Sequence, residues 1–275
     1  MDRLENFGLD FVLNLAGAGR GHADGFQRMF SHQKLEVYRK AVAIAADLGR
    51  LAADWDKRQA VVDHLSRASE SVVLNLAEAA RLRSVPAKEC TIDYSIGSAL
   101  ECAACLDIAV VKELLGGELG YGQKLRLCEV VKMLTGLRKS WGNPALREES
   151  VEYGGESLEP SPASFGHERL MAYRTALDFV GWFHQLPRGR ELSYRLDRQV
   201  DKTSTSMVLN IAEGNGRRGL EDRRRFLKVA EASAVKAATY LDLCQHKDGM
   251  DRTQARAGLE RLEQVAKLLR GFALE

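Results

Sequence analysis

The sequence has little proline, five residues in 275. Ala, Leu, Glu and Arg fill it instead, a balance that favours helix over sheet. Cysteine is equally scarce. Cys90, Cys102, Cys105, Cys128 and Cys244 are odd in number and irregularly spaced. That excludes a disulfide framework and predicts reduced thiols in a cytoplasmic protein. No apolar run approaches the roughly 20 residues that span a bilayer, so no membrane segment is expected. The first residues, "MDRLENFGLD", carry Asp2, Glu5 and Asp10 and lack the basic start of a signal peptide. No Glu-x-x-His occurs, which excludes the usual di-metal helical bundle.

The chain is long enough for two domains with real cores. Its 45% apolar and 28% charged content is that of a globular protein. The net charge of +2 is unevenly spread. Residues 141–166 hold 1 basic and 5 acidic groups, whereas residues 167–275 hold 20 and 15.

A shift of 135 positions lays the chain on itself. His32 meets His167, Tyr38 meets Tyr173, Ser71 meets Ser206, Asn75 meets Asn210, and Glu78 meets Glu213. Ser98 meets Ser233, Asp107 meets Asp242, and Leu134 meets Leu269. No gap is needed, so the chain is a tandem duplication. The reading divides it into an N-terminal tail (1–31), module 1 (32–140), a linker (141–166) and module 2 (167–275). The linker, "WGNPALREESVEYGGESLEPSPASFG", is rich in Gly, Ser, Pro and Glu with little to bury. In the tail, Gly17, Gly19 and Gly21 form a weak phosphate-loop pattern with no strand before it; a tail is the better reading.

Each module carries four helical segments. They fall near 32–53, 57–83, 86–116 and 122–139, and near 167–186, 189–214, 220–246 and 251–272. In "LCEVVKML" the apolar residues Leu127, Val130, Val131 and Leu134 make one stripe. Neither module shows strand-like alternation. The expected fold is all-α: two tandem antiparallel up-down four-helix bundles.

Three groups of polar residues stand out. Asn75 and Glu78, and equally Asn210 and Glu213, share a helix face at three-residue spacing. With Ser98 and Ser233 across the bundle they are expected to form an interhelical polar clamp, because a buried Asn needs hydrogen-bond partners. No nucleophile or base is placed to make the two Glu residues catalytic. The second group is the cysteines. The module 2 equivalents of Cys90, Cys102, Cys105 and Cys128 are Arg225, Ala237, Tyr240 and Glu263, so the fold does without thiols. No metal and no cofactor are expected. The third is the basic turn "GNGRRGLEDRRRFLK", where Arg217, Arg218, Arg223, Arg224, Arg225 and Lys228 outnumber Glu221 and Asp222. Module 1 places Arg81, Arg83 and Lys88 there. Arginines in a turn before a helix N-terminus suit phosphates of RNA or DNA, through backbone and not base contacts. The other reading is a solvated turn.

The run "SMVLNIAEGNGRRGLEDRRRFLKVAEAS" resembles the Asn-Ile-Ala-Glu-Gly, Arg-Phe-Leu and Ser core of a four-helix-bundle family. This family comprises proteins encoded in intervening sequences of 23S ribosomal RNA genes, and Avd, the accessory protein of diversity-generating retroelements. "SVVLNLAEAAR", "IGSALE" and the paired openings "LEVYRKAV" and "LMAYRTAL" resemble it too. Asn75, Glu78, Gly97, Ser98 and Glu101 match in module 1; Asn210, Glu213, Gly214, Arg218 and Ser233 match in module 2. Ala79, Ala232 and Lys236 depart from the pattern. The resemblance implies a non-enzymatic, cytoplasmic bundle that forms homo-oligomers. Avd forms a basic pentameric barrel that binds a reverse transcriptase and nucleic acid. Whole tandem chains cannot close a single five-module ring. The expected function is therefore a self-associating adaptor for nucleic acid or a nucleic-acid enzyme. The alternative is a protein-interaction scaffold that binds no nucleic acid.

Overall fold

The computed structural model describes residues 30–142, 165–187 and 193–274. The Gly17, Gly19, Gly21 spacing and most of the linker fall outside the described residues. Module 1 contains α1 (Glu36–Leu51), α2 (Ala60–Arg81), α3 (Val85–Val111) and α4 (Gly117–Gly142). Module 2 contains α5 (Met171–Gln185), α6 (Tyr194–Gly216), α7 (Leu220–Lys247) and α8 (Arg252–Leu274). Among the described residues there is no strand. The chain is two tandem helical bundles.

The first helix of each module begins later than its sequence pattern predicts. Single 3-10 turns, Ser31–Lys34 and Gly166–Arg169, precede it, and Leu35 and Leu170 take extended geometry as N-caps. An aromatic stack accompanies each turn. Phe30, His32 and Tyr38 stack at 5.6 and 4.7 Å between centroids, and Phe165, His167 and Tyr173 at 5.6 and 4.6 Å. At the other end of α3, the helix stops at Val111 and not at Gly116, because Glu113 turns left-handed (φ 58°). Helix α7 ends on Gly249, also left-handed (φ 72°), where Met250 N–H closes on Cys244 O at 3.1 Å.

Most helices bury one stripe. In α1 it is Val37, Ala41, Ile44 and Leu48, the helical repeat of a single core-facing side. Helix α3 is different. Residues 95–100 and 102–106 are buried without interruption, so no side of it faces water along this stretch. It is long and apolar enough to cross a membrane by length and composition, a feature absent from the sequence reading. Its surface is taken up by protein instead: α2 and α4 cover one side, α6 and α5 of the second module the other. A helix that is apolar all round is one buried all round.

The two modules therefore meet along a seam built on α3. The packing is head-to-tail. Helices α3 and α2 of module 1 meet α5 and α6 of module 2, while α7, the equivalent of α3, makes no helix packing against module 1. Helix α6 runs antiparallel to α3. Asp201 near its start pairs with Lys112, and Arg217 just past its end lies against Gly97. This orientation brings the α2–α3 and α6–α7 turns to the same end of the protein.

Candidate nucleic-acid interface

The α6–α7 turn begins where α6 loses its helical geometry at Arg217. Gly216 packs closely there, and a Cβ would overlap the Leu100 side chain of α3. Arg217 then folds back into the seam. Its side chain is 8% exposed and pairs with Glu213. The guanidinium lies over the rings of Tyr94 (5.1 Å) and Phe226 (4.7 Å), and a Cβ at Gly97 would come within 3.2 Å of its Nη2. Burial pushes the Glu213 carboxyl upward, opposed by Arg217. Arg217 is thus a rivet between the modules and is corrected from the set of phosphate-facing arginines.

The remaining basic residues divide by exposure. Arg218, Arg225 and Lys228 are exposed, and none has a carboxylate partner among the described residues. Arg225 rests against the Phe226 ring at 5.5 Å. Arg223 and Arg224 are half-buried, and Arg224 Nε is enclosed with no hydrogen-bond partner. In the α2–α3 turn Arg81 and Arg83 are exposed; Arg81 lies 3.8 Å from Glu78. Lys88 is half-buried over the Trp141 ring at 4.7 Å. The two helix N-termini differ. Helix α7 carries Glu221 and Asp222 in its first turn, which already neutralise its dipole. Helix α3 has no acidic residue in its first turn, so its amides remain electropositive.

The polar clamp takes a different form from the one expected. Asn75 Nδ2 donates to Ser71 O (2.8 Å) and to Ser71 Oγ (2.9 Å), and Ser71 Oγ meets Ser98 Oγ at 2.7 Å. Asn210, Ser206 and Ser233 repeat this at 2.7, 3.2 and 3.1 Å. Two serines thus link the helices. Glu78 is exposed and Glu213 serves the seam, so neither belongs to the clamp. The distinction was invisible in sequence because three-residue spacing fixes a shared face only roughly.

The seam bears on two of the departures from the family pattern, Ala232 and Lys236. Gly97 and Glu101 of α3 lie opposite Glu213, Gly216 and Arg217 of module 2. Their equivalents Ala232 and Lys236 are exposed on α7, which has no partner helix from module 1. A Cβ on Gly214 would stand 3.0 Å from Phe226 of its own module; its equivalent Ala79 is buried.

A second cluster along the seam escaped the sequence reading. Asp107, His167 and Glu168 bring potential ligand atoms within 4.8 Å of one another. Lys124 pairs with Asp107 at 2.7 Å and Glu168 at 2.8 Å, and Tyr173 donates to Asp107 at 2.8 Å. The ammonium thus supplies the positive charge these carboxylates require. Burial, reinforced by Lys124, lowers the His167 pKa to about 3. These residues lie on four separate segments of both modules, and only the repeat correspondences of Asp107, His167 and Tyr173 hinted at them. The Cys102 and Cys105 thiols are fully buried and pushed upward, which makes them poor nucleophiles and poor ligands.

The model of one protein family, described as 23S rRNA-intervening sequence protein, matches residues 33–136 and again 168–271. No curated protein and no solved structure matches the chain.

Proposed function

The chain belongs to the 23S rRNA-intervening sequence protein family, with two copies of its domain in tandem, and from this we propose a non-enzymatic adaptor that binds RNA or DNA through the basic end of the molecule. One observation carries the reading. Arg218, Arg225 and Lys228 stand exposed and without carboxylate partners, at the same end as Arg81 and Arg83. Guanidinium groups held this way bind phosphates without reading bases. Tyr94, 48% accessible with Arg217 over its ring, adds a partly open aromatic side chain beside the α6–α7 turn.

Self-association is part of the proposal. Leu74 is 66% exposed, whereas its module 2 equivalent, Leu209, is 3% exposed at the seam. Module 1 thus presents openly the face that module 2 buries.

The test is binding of labelled RNA and DNA by the protein and by an Arg218→Ala, Arg225→Ala, Lys228→Ala variant that leaves Arg217 in place. The expected result is loss of about tenfold or more in affinity, similar for different sequences. Equal binding by the variant refutes the assignment. No binding by the wild type at low salt leaves the scaffold reading.

A further inference from the structure

At the end opposite the basic turns the seam opens into two adjoining cavities. The separation is about 33 Å, the length of the 22-residue α2. The larger cavity, 430 Å³, lies between α2 and α6 and is walled by Lys57, Arg58, Arg67, Arg198 and Lys202, with Asp63 the one carboxylate. The smaller, 210 Å³, shares Arg58, Gln59 and Arg198 and adds Tyr194, which is 56% exposed, together with Asp56, Asp197 and Asp201.

Asp56, Asp63, Asp201 and Glu101 are already committed. Asp56 accepts from Arg58 at 2.8 and 2.9 Å, and Asp63 from Arg67 at 2.9 Å. Asp201 pairs with Lys112 and accepts from Ala60 N–H at 2.8 Å. Glu101 faces His64 at 3.1 Å. Lys57, Arg198 and Lys202 remain without a carboxylate partner among the described residues, converging on one cavity. The α2 N-terminus lies beside them, its first amide already taken by Asp201 and Asp63 in its first turn, so the cations alone supply the site's positive charge. Like charges gathered around a concave site raise the local potential and attract anions. The volumes suit a small ligand.

We propose that these cavities bind a nucleoside polyphosphate: the linked phosphates among Lys57, Arg198 and Lys202, the base against Tyr194. The site shares no residue with the basic turns, and its assignment stands apart from theirs. Its phosphates come from a free nucleotide or from the triphosphate end of an RNA strand.

The test is calorimetric titration at low salt with ATP, GTP, inorganic tripolyphosphate and a short triphosphate-ended RNA. The proteins compared are wild type, Arg198→Ala/Lys202→Ala, Tyr194→Ala, and the Arg218→Ala, Arg225→Ala, Lys228→Ala variant. All altered side chains are exposed except part-buried stems, and circular dichroism checks each fold. The expected result is one-site binding, weakened roughly tenfold or more in the Arg198, Lys202 variant. Its salt slope falls by about two. Tyr194→Ala weakens the nucleotide and spares tripolyphosphate, and the turn variant binds nucleotide normally. Binding of free ATP or GTP identifies a nucleotide site; binding of the RNA end alone identifies that source. Absence of saturable binding by every probe overturns the proposal. So does unchanged affinity in the Arg198, Lys202 variant.

Discussion

Replacing Lys112 by Met isolates the electrostatics of the seam. Lys112 closes α3 with its side chain 3% exposed, paired with Asp201, whose side chain is 11% exposed. Its Nζ also donates to Gln59 Oε1 at 2.9 Å. Met fills the same stem volume but leaves the Asp201 carboxylate buried without its cation. Breaking one side of a buried pair costs about 3–5 kcal/mol. Asp201 keeps the Ala60 N–H bond at 2.8 Å, so about 3 kcal/mol is expected. Replacing both, Lys112→Met with Asp201→Leu, removes the stranded charge. That variant strands only the Ala60 amide and the half-buried Gln59 Oε1, a cost of about 1–2 kcal/mol. Urea denaturation of the four proteins forms a double-mutant cycle, with a coupling energy of about 2 kcal/mol or more. A single-variant cost below about 1 kcal/mol, or a coupling near zero, refutes the view that this pair locks the modules together.

Four further substitutions test other parts of the seam and the bundles. Gly97→Val pushes into the Arg217 guanidinium and should destabilise by about 1–3 kcal/mol, whereas Gly49→Ala on an open helix surface should stabilise by about 0.5–1 kcal/mol; thermal melts compare them. Asn210→Ala removes the bonds to Ser206 and should lower stability by about 1 kcal/mol in denaturant titrations. The folded pKa of His167 lies below its ordinary 6.5, at about 3, so its contribution is present above pH 6.5 and lost as pH falls toward 3. The loss approaches about 1.4 kcal/mol per pH unit in that window, and His167→Phe, which keeps the stack with Phe165 and Tyr173, should flatten it; an unchanged pH profile in that variant contradicts the assignment.

The duplication and its helices were legible because apolar periodicity and a fixed 135-residue register are properties of the chain itself. Helix starts were less so. Nothing local in "SHQKLEVY" announces that a ring stack holds Leu35 extended and delays α1. The sequence left one trace of asymmetry: Gly97 and Glu101 are kept in module 1 where module 2 has Ala232 and Lys236, and Gly214 is kept in module 2 where module 1 has Ala79. The sequence showed that each copy had lost something. Only the packing of α6 on α3 shows that Gly97 faces Glu213 and Arg217. The basic turn was found by charge count, which cannot separate an exposed Arg218 from an Arg217 pressed between Tyr94 and Phe226. The cavity lined by Lys57, Arg198 and Lys202 was beyond sequence, because its walls lie more than a hundred residues apart in the chain.

The central claim is phosphate contact by the basic end, and salt dependence of RNA affinity measures it most directly. Five exposed cations, Arg81, Arg83, Arg218, Arg225 and Lys228, predict a slope of log affinity against log salt of roughly −2 to −4 for single strands. The slope should approach zero, and the affinity collapse, when those five are replaced by Ala. A wild-type affinity that does not change with salt, or no measurable binding at the lowest salt, contradicts the account.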